Sequence, residues 1–72
     1  CSETVTVSLN EALDINGNAV TLTLVGEYSA QINVDGQKEF LSVGESATVS
    51  GLEFELDDTS SSSETADLYI MC

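Results

Sequence analysis

Cys1 and Cys72 stand at the two ends of this chain, and their thiols have the most definite chemistry in it. Paired with each other, they would close the chain into a ring, which is the chemistry of an oxidising compartment. Three fates suit them. An intrachain bridge requires the first and last strands to be neighbours. A bond from Cys1 of one copy to Cys72 of the next is heterologous, does not close, and builds a covalent fibre. As a processed lipoprotein N-terminus, Cys1 would carry an acyl anchor and leave Cys72 over. Redox catalysis is not expected, because there is no C-x-x-C spacing and no cationic side chain in sequence beside either thiol to hold a thiolate.

Carboxylates far outnumber the thiols. Thirteen Asp and Glu face a single basic residue, Lys38, so the formal charge is -12, with no His, Arg, Trp or Pro. The sign excludes binding to nucleic acid, and the missing His and Arg remove the commonest general base and the guanidinium clamp for phosphate. Most carboxylates fall in turns or on polar positions, where they stay solvated, so no acid and base pair is poised for glycoside hydrolysis. No serine has a base to activate it. The chain does not read as an enzyme, and no cofactor is expected.

Calcium is the one metal for which the sequence supplies oxygens. Asp57, Asp58 and Asp67 flank one segment, and Asp14, Asn16 and Asn18 surround Gly17. Neither set has the EF-hand spacing, since Gly17 comes two positions too early, and acidic residues at such places commonly just form turns.

The elements that position these groups read as strands throughout. Val5, Val7 and Leu9 alternate with Thr6 and Ser8. Leu13 and Ile15 lead to Asn16-Gly17, after which Val20, Leu22 and Leu24 alternate with threonines. Asn-Gly between two alternating runs predicts a tight hairpin. Ala30, Ile32 and Val34 then lead to Asp35-Gly36 and a returning strand over 38–43. Ala47 and Val49 lead through Ser50-Gly51 to Leu52, Phe54 and Leu56, and Ala66, Leu68 and Ile70 form the last alternating run. The period of two points to an all-β domain spanning residues 1–72, a compact antiparallel β-sandwich or small barrel of about seven strands. No run approaches the roughly 20 apolar residues of a membrane-spanning helix.

EALDING, starting at Glu11, is echoed by ESATVSG, starting at Glu45, 34 positions on. The echo reads either as a duplicated hairpin unit or as the chance product of alternation and turn glycines. Residues 57–65, DDTSSSSET, are the one low-complexity piece and read as an exposed loop between the last two strands. Thr59, Ser60, Ser61, Ser62, Ser63 and Thr65 offer hydroxyls that could carry O-glycans or meet a partner. No Asn-x-Ser/Thr sequon is present.

The segments Val34-Asp35-Gly36-Gln37-Lys38, Ser42-Val43-Gly44-Glu45-Ser46 and Val49-Ser50-Gly51-Leu52 resemble the small β domains of archaeal surface-layer-like and extracellular, pilus-like filament proteins, over about residues 9–70. The resemblance implies a structural role at the cell exterior with no active site; the terminal cysteines depart from its pattern. The expected function is a subunit or module of a surface layer or filament, extracellular or on the cell surface. Its partners would be copies of itself, joined through edge strands and stabilised by disulfide bonding. Val5, Val7 and Leu9 are the candidates for insertion into a neighbouring sheet, though the same strand could equally complete its own domain. The alternative is a secreted or lipid-anchored β-sandwich binding module for a glycan or a protein ligand, with Tyr28 and Tyr69 as the stacking candidates.

Overall fold

Alternating side chains and three two-residue turns account for most of the architecture in the computed structural model, which describes residues 2–71. Cys1 and Cys72, and with them the disulfide expectation, lie outside the described residues. Eight strands follow one another: β1 (Ser2–Ser8), β2 (Ala12–Ile15), β3 (Asn18–Val25), β4 (Ser29–Val34), β5 (Gln37–Ser42), β6 (Ser46–Val49), β7 (Leu52–Ser60) and β8 (Thr65–Met71). They form two antiparallel four-stranded sheets, ordered β2-β3-β4-β5 and β1-β8-β7-β6. The fold is the expected small β-sandwich.

The turns behave as their sequences predict. Asn16-Gly17, Asp35-Gly36 and Ser50-Gly51 each place both residues at positive φ, the conformation whose twist matches a two-residue hairpin. Side chains complete two of them: the Gly17 N–H donates to Asp14 Oδ1 at 3.1 Å and the Gly36 N–H to Asn33 Oδ1 at 2.8 Å. Ser50 is the poorest occupant, since a serine at φ 51° lacks the local compensation that makes Asn tolerant of this region. Ser50→Asn is therefore expected to stabilise the protein by about 0.5–1 kcal/mol, read as a higher urea midpoint at unchanged slope. No gain would mean that the turn imposes no such preference.

The two sheets repeat one pattern. The β2–β3 pairing Ala12↔Thr21 to Ile15↔Asn18 recurs 34 positions on as Ser46↔Glu55 to Val49↔Leu52 in β6–β7. The β3–β4 pairing Leu22↔Ile32, with a bulge before Leu24↔Gln31, recurs as Leu56↔Leu68 with a bulge before Asp58↔Asp67. The fourth strand completes the correspondence: Ala30↔Leu41 in β4–β5 matches Val7↔Ala66 in β1–β8. Thus β1, the first strand in the chain, fills in its sheet the place that β5 fills in the other. Both passages between sheets are built alike as well. The Ser8 N–H donates to Glu11 Oε1 at 3.2 Å and the Ser42 N–H to Glu45 Oε1 at 2.8 Å, and the Glu11 and Glu45 N–H groups donate back to the Ser8 and Ser42 carbonyls. The duplicated unit therefore comprises four strands rather than a single hairpin.

The core lies between the sheets and is wholly apolar. Every fully covered apolar residue except Leu52 has a buried equivalent across the repeat: Ile15 with Val49, Val20 with Phe54, Leu22 with Leu56, Ala30 with Ala66, Ile32 with Leu68, Val34 with Ile70 and Leu41 with Val7. Burial of each large side chain removes apolar area worth roughly 1.5–3 kcal/mol.

Two expectations need correction. Leu24 does not continue the inward row of Val20 and Leu22. The bulge inserts one residue, so Leu24 pairs with outward-facing Gln31 while Val25 pairs with buried Ala30. Likewise the predicted loop over 57–65 is mostly strand. β7 runs on to Ser60 and β8 starts at Thr65, leaving only residues 61–64 as the turn. Polar residues there follow from the outward face of a ladder as readily as from a loop.

Candidate functional site

Strand β1 and the outward face of its sheet hold most of the residues singled out from the sequence. Val7 is fully buried and Val5 partly so. Leu9 lies past the end of β1, where it makes an isolated parallel bridge to Leu22. Within the single chain β1 is paired along its whole length with β8, from Ser2↔Met71 to Ser8↔Thr65. The first and last described residues are thus register partners, each adjacent in sequence to one of the two cysteines. In the other sheet the equivalent edge is closed by the Asp35-Gly36 turn between Val34 and Gln37. Within the described residues β1 reaches its place without any such turn and is joined in sequence to β2 through residues 9–11.

The hydroxyl-bearing residues separate into two groups. Thr59, Ser60 and Thr65 are half-buried ladder residues, while Ser61, Ser62 and Ser63 are exposed in the turn. Thr59 Oγ1 donates to the Glu27 carbonyl, in the connection between β3 and β4, at 2.7 Å, which gives it a structural task. Ser60 Oγ accepts from the Ser63 N–H at 3.3 Å. This connection, residues 61–64, is one residue longer than its equivalent between β3 and β4, residues 26–28.

The oxygens considered for calcium also part company. Asp14 is committed to its turn, and Asp35 Oδ1 accepts the Ala19 N–H at 2.9 Å. Asp58 and Asp67 are directly opposed across the β7 bulge, and Asp67 Oδ1 accepts the Thr6 hydroxyl at 2.7 Å. With Thr59, Ser60 and Thr65 they border a depression of about 50 Å³, too small for an organic ligand. Among the described residues, no group of three or more Asp, Glu, Cys or His side chains is arranged to hold a metal ion.

Glu53, Glu55, Asp58 and Asp67 all lie on the outward side of β7 and β8, opposite the buried Phe54, Leu56, Leu68 and Ile70. That face is strongly anionic. The outward side of β2–β5 differs: by register its only carboxylate is Asp14 and its only cation Lys38, and Leu24 and Phe40 flank Gln31 in one cross-strand row. Sequence reading missed this row. The usable signal was the adjacent pairs Leu24-Val25 and Phe40-Leu41, because two neighbouring apolar residues in a strand cannot both face inward. Tyr28 is exposed beyond the end of β3, and Tyr69 is half-buried on β8.

No protein family, curated protein or solved structure matches this chain.

Proposed function

We propose that the chain is an extracellular structural subunit or module of a surface layer or filament, linked to copies of itself through an edge strand and held by disulfide bonding between Cys1 and Cys72. One observation carries the reading: β1 occupies the β5-equivalent edge of its sheet without a turn to β8. The same hydrogen bonds and the same buried Val7 are available to β1 of another copy, with residues 9–11 opening as the hinge. Passed from each copy to the next, the strand makes a head-to-tail contact that propagates; exchanged reciprocally it closes a dimer, which the images distinguish by the absence of a repeat. It would also bring Cys1 of one copy to the β8 end, next to Cys72, of its neighbour. The heavy negative charge suits a subunit that must avoid non-specific contact at high local concentration.

This role is structural rather than catalytic. Its test is the native material, imaged by electron microscopy and run on a non-reducing gel. A ladder of multimers that collapses on reduction, together with a regular repeat in the images, is the expected result. A single fast-migrating band and dispersed particles would overturn it in favour of a self-contained binding module.

A further inference from the structure

We infer that the outward face of β2–β5 is a docking surface for the same face of a second copy of this chain. The inference shares with the proposed function the premise of self-association but uses a different surface, the face of one sheet rather than the edge of the other.

The internal repeat supplies the control. Positions equivalent by register occupy the same places on the two sheets, so differences between them reflect residue choice and not fold. Leu24 corresponds to Asp58, Phe40 to Thr6 and Gln31 to Asp67. One face has therefore an acidic row where the other has an apolar one. Leu24 is 54% exposed and Phe40 59%, although neither contributes to the core. Tyr28 and Val43, at 72% and 40% exposure, lie together at the end of the same sheet, where the Val43 N–H donates to the Tyr28 carbonyl at 2.9 Å. Tyr28 and Val43 share the parity of the buried pair Ala30 and Leu41 and lie at the sandwich end, not on this face, so Leu24 and Phe40 alone form its apolar row, and two such side chains in one cross-strand row mark an interaction surface.

Charge identifies the occupant. On a molecule of net charge -12, this face carries one carboxylate, Asp14, and the only lysine, Lys38, so it is close to neutral. A cationic partner would be drawn to the other sheet, where Glu53, Glu55, Asp58 and Asp67 are displayed without a cation. Another equally acidic copy, in contrast, can approach closely only where neither surface brings carboxylates together. The row is also self-complementary. A two-fold axis running along β4 sets Gln31 over its own equivalent and Phe40 over Leu24 of the partner subunit, twice. The two longer dimensions of the domain, 29 and 21 Å, bound the face at roughly 600 Å² per copy, near the lower limit for a specific interface. The pairing should therefore be reversible and dependent on concentration.

Sedimentation equilibrium of the intact chain tests this, with the non-reducing gel run in parallel to count covalent multimers separately. For the fraction that the gel shows to be covalently monomeric, a monomer–dimer equilibrium is expected, tightening as salt is raised from about 20 to about 500 mM because screening relieves the repulsion between two anionic bodies. Leu24→Glu and Phe40→Glu should each weaken it at least ~10-fold, as expected for a carboxylate placed in an apolar contact. Thr48→Glu, on the outward face of the other sheet, should change it less than ~2-fold. All three positions are solvent-facing, so circular dichroism should stay unchanged. A chain that stays monomeric to about 1 mM at high salt overturns the proposal, as do face variants that dimerise like the parent. Covalent multimers that persist in Phe40→Glu leave edge-strand assembly standing; their absence alongside a Phe40-dependent dimer removes edge-strand assembly and keeps this inference.

Discussion

Phe54→Ala is expected to lower the stability of this protein by about 3–5 kcal/mol, the usual cost of emptying a fully buried aromatic site. Phe54 is the largest wholly covered side chain, at 0% exposure on β7, one of the two inner strands of its sheet. A domain of 72 residues has roughly 4–11 kcal/mol in total, so this one change removes a large share and leaves a measurable unfolded fraction at room temperature. The repeat adds a sharper comparison. Leu22 and Leu56 are equivalent, both at 0% exposure beside equivalent bulges. Leu22→Ala and Leu56→Ala should each cost about 2–5 kcal/mol and agree within about 1 kcal/mol if the two halves pack alike. Urea titrations at constant slope read all three values. A loss under about 1 kcal/mol for Phe54→Ala would mean that the sheets are not sealed against each other as described. Widely different costs for the two leucines would mean that the correspondence stops at the backbone.

Reduction, or Cys1→Ser with Cys72→Ser, is expected to have the other large effect. Ser2 and Met71 are register partners, at the edge that the Asp35-Gly36 turn closes in the other sheet. A bond between the flanking cysteines would serve in place of that turn. Where the bond lies within one chain, closing a loop of nearly its whole length is worth about 4 kcal/mol in the chain-entropy account. For a domain of this size that is a fall in Tm of roughly 15–30 °C. Thermal melts with and without reductant, paired with a thiol titration, measure it. Free thiols before reduction, or an unchanged Tm, would remove the staple. A fall in mass on reduction, as the proposed assembly requires, assigns the bond to neighbouring copies, and the fall in Tm then reports disassembly.

Strand positions were legible because their causes are local. Period-two alternation set the inward rows Val20-Leu22, Ile32-Val34, Phe54-Leu56 and Leu68-Ile70, and Asn16-Gly17, Asp35-Gly36 and Ser50-Gly51 announced their turns through the need for positive φ. The spacing of EALDING and ESATVSG also carried a true signal, since it marks the same passage into each sheet. What failed was also systematic. A bulge shifts the parity of everything after it and has no composition of its own here, so Leu24 was misplaced, and the polar run 57–60 was misplaced because Asp, Thr and Ser suit the outward face of a ladder as well as a loop.

The sequence by itself thus determined an acidic all-β chain, the places of its turns and most of its core, because alternation, glycine placement and charge act over a few residues. Only the tertiary structure decided that β1 lies beside β8, that four strands rather than one hairpin form the repeated unit, and that acidic and apolar rows occupy opposite outer faces. Those features depend on hydrogen bonds between residues up to 69 positions apart, as for Ser2 and Met71. Closing such a ladder is decided by the free energy of the whole core against chain entropy, which no short window of residues contains.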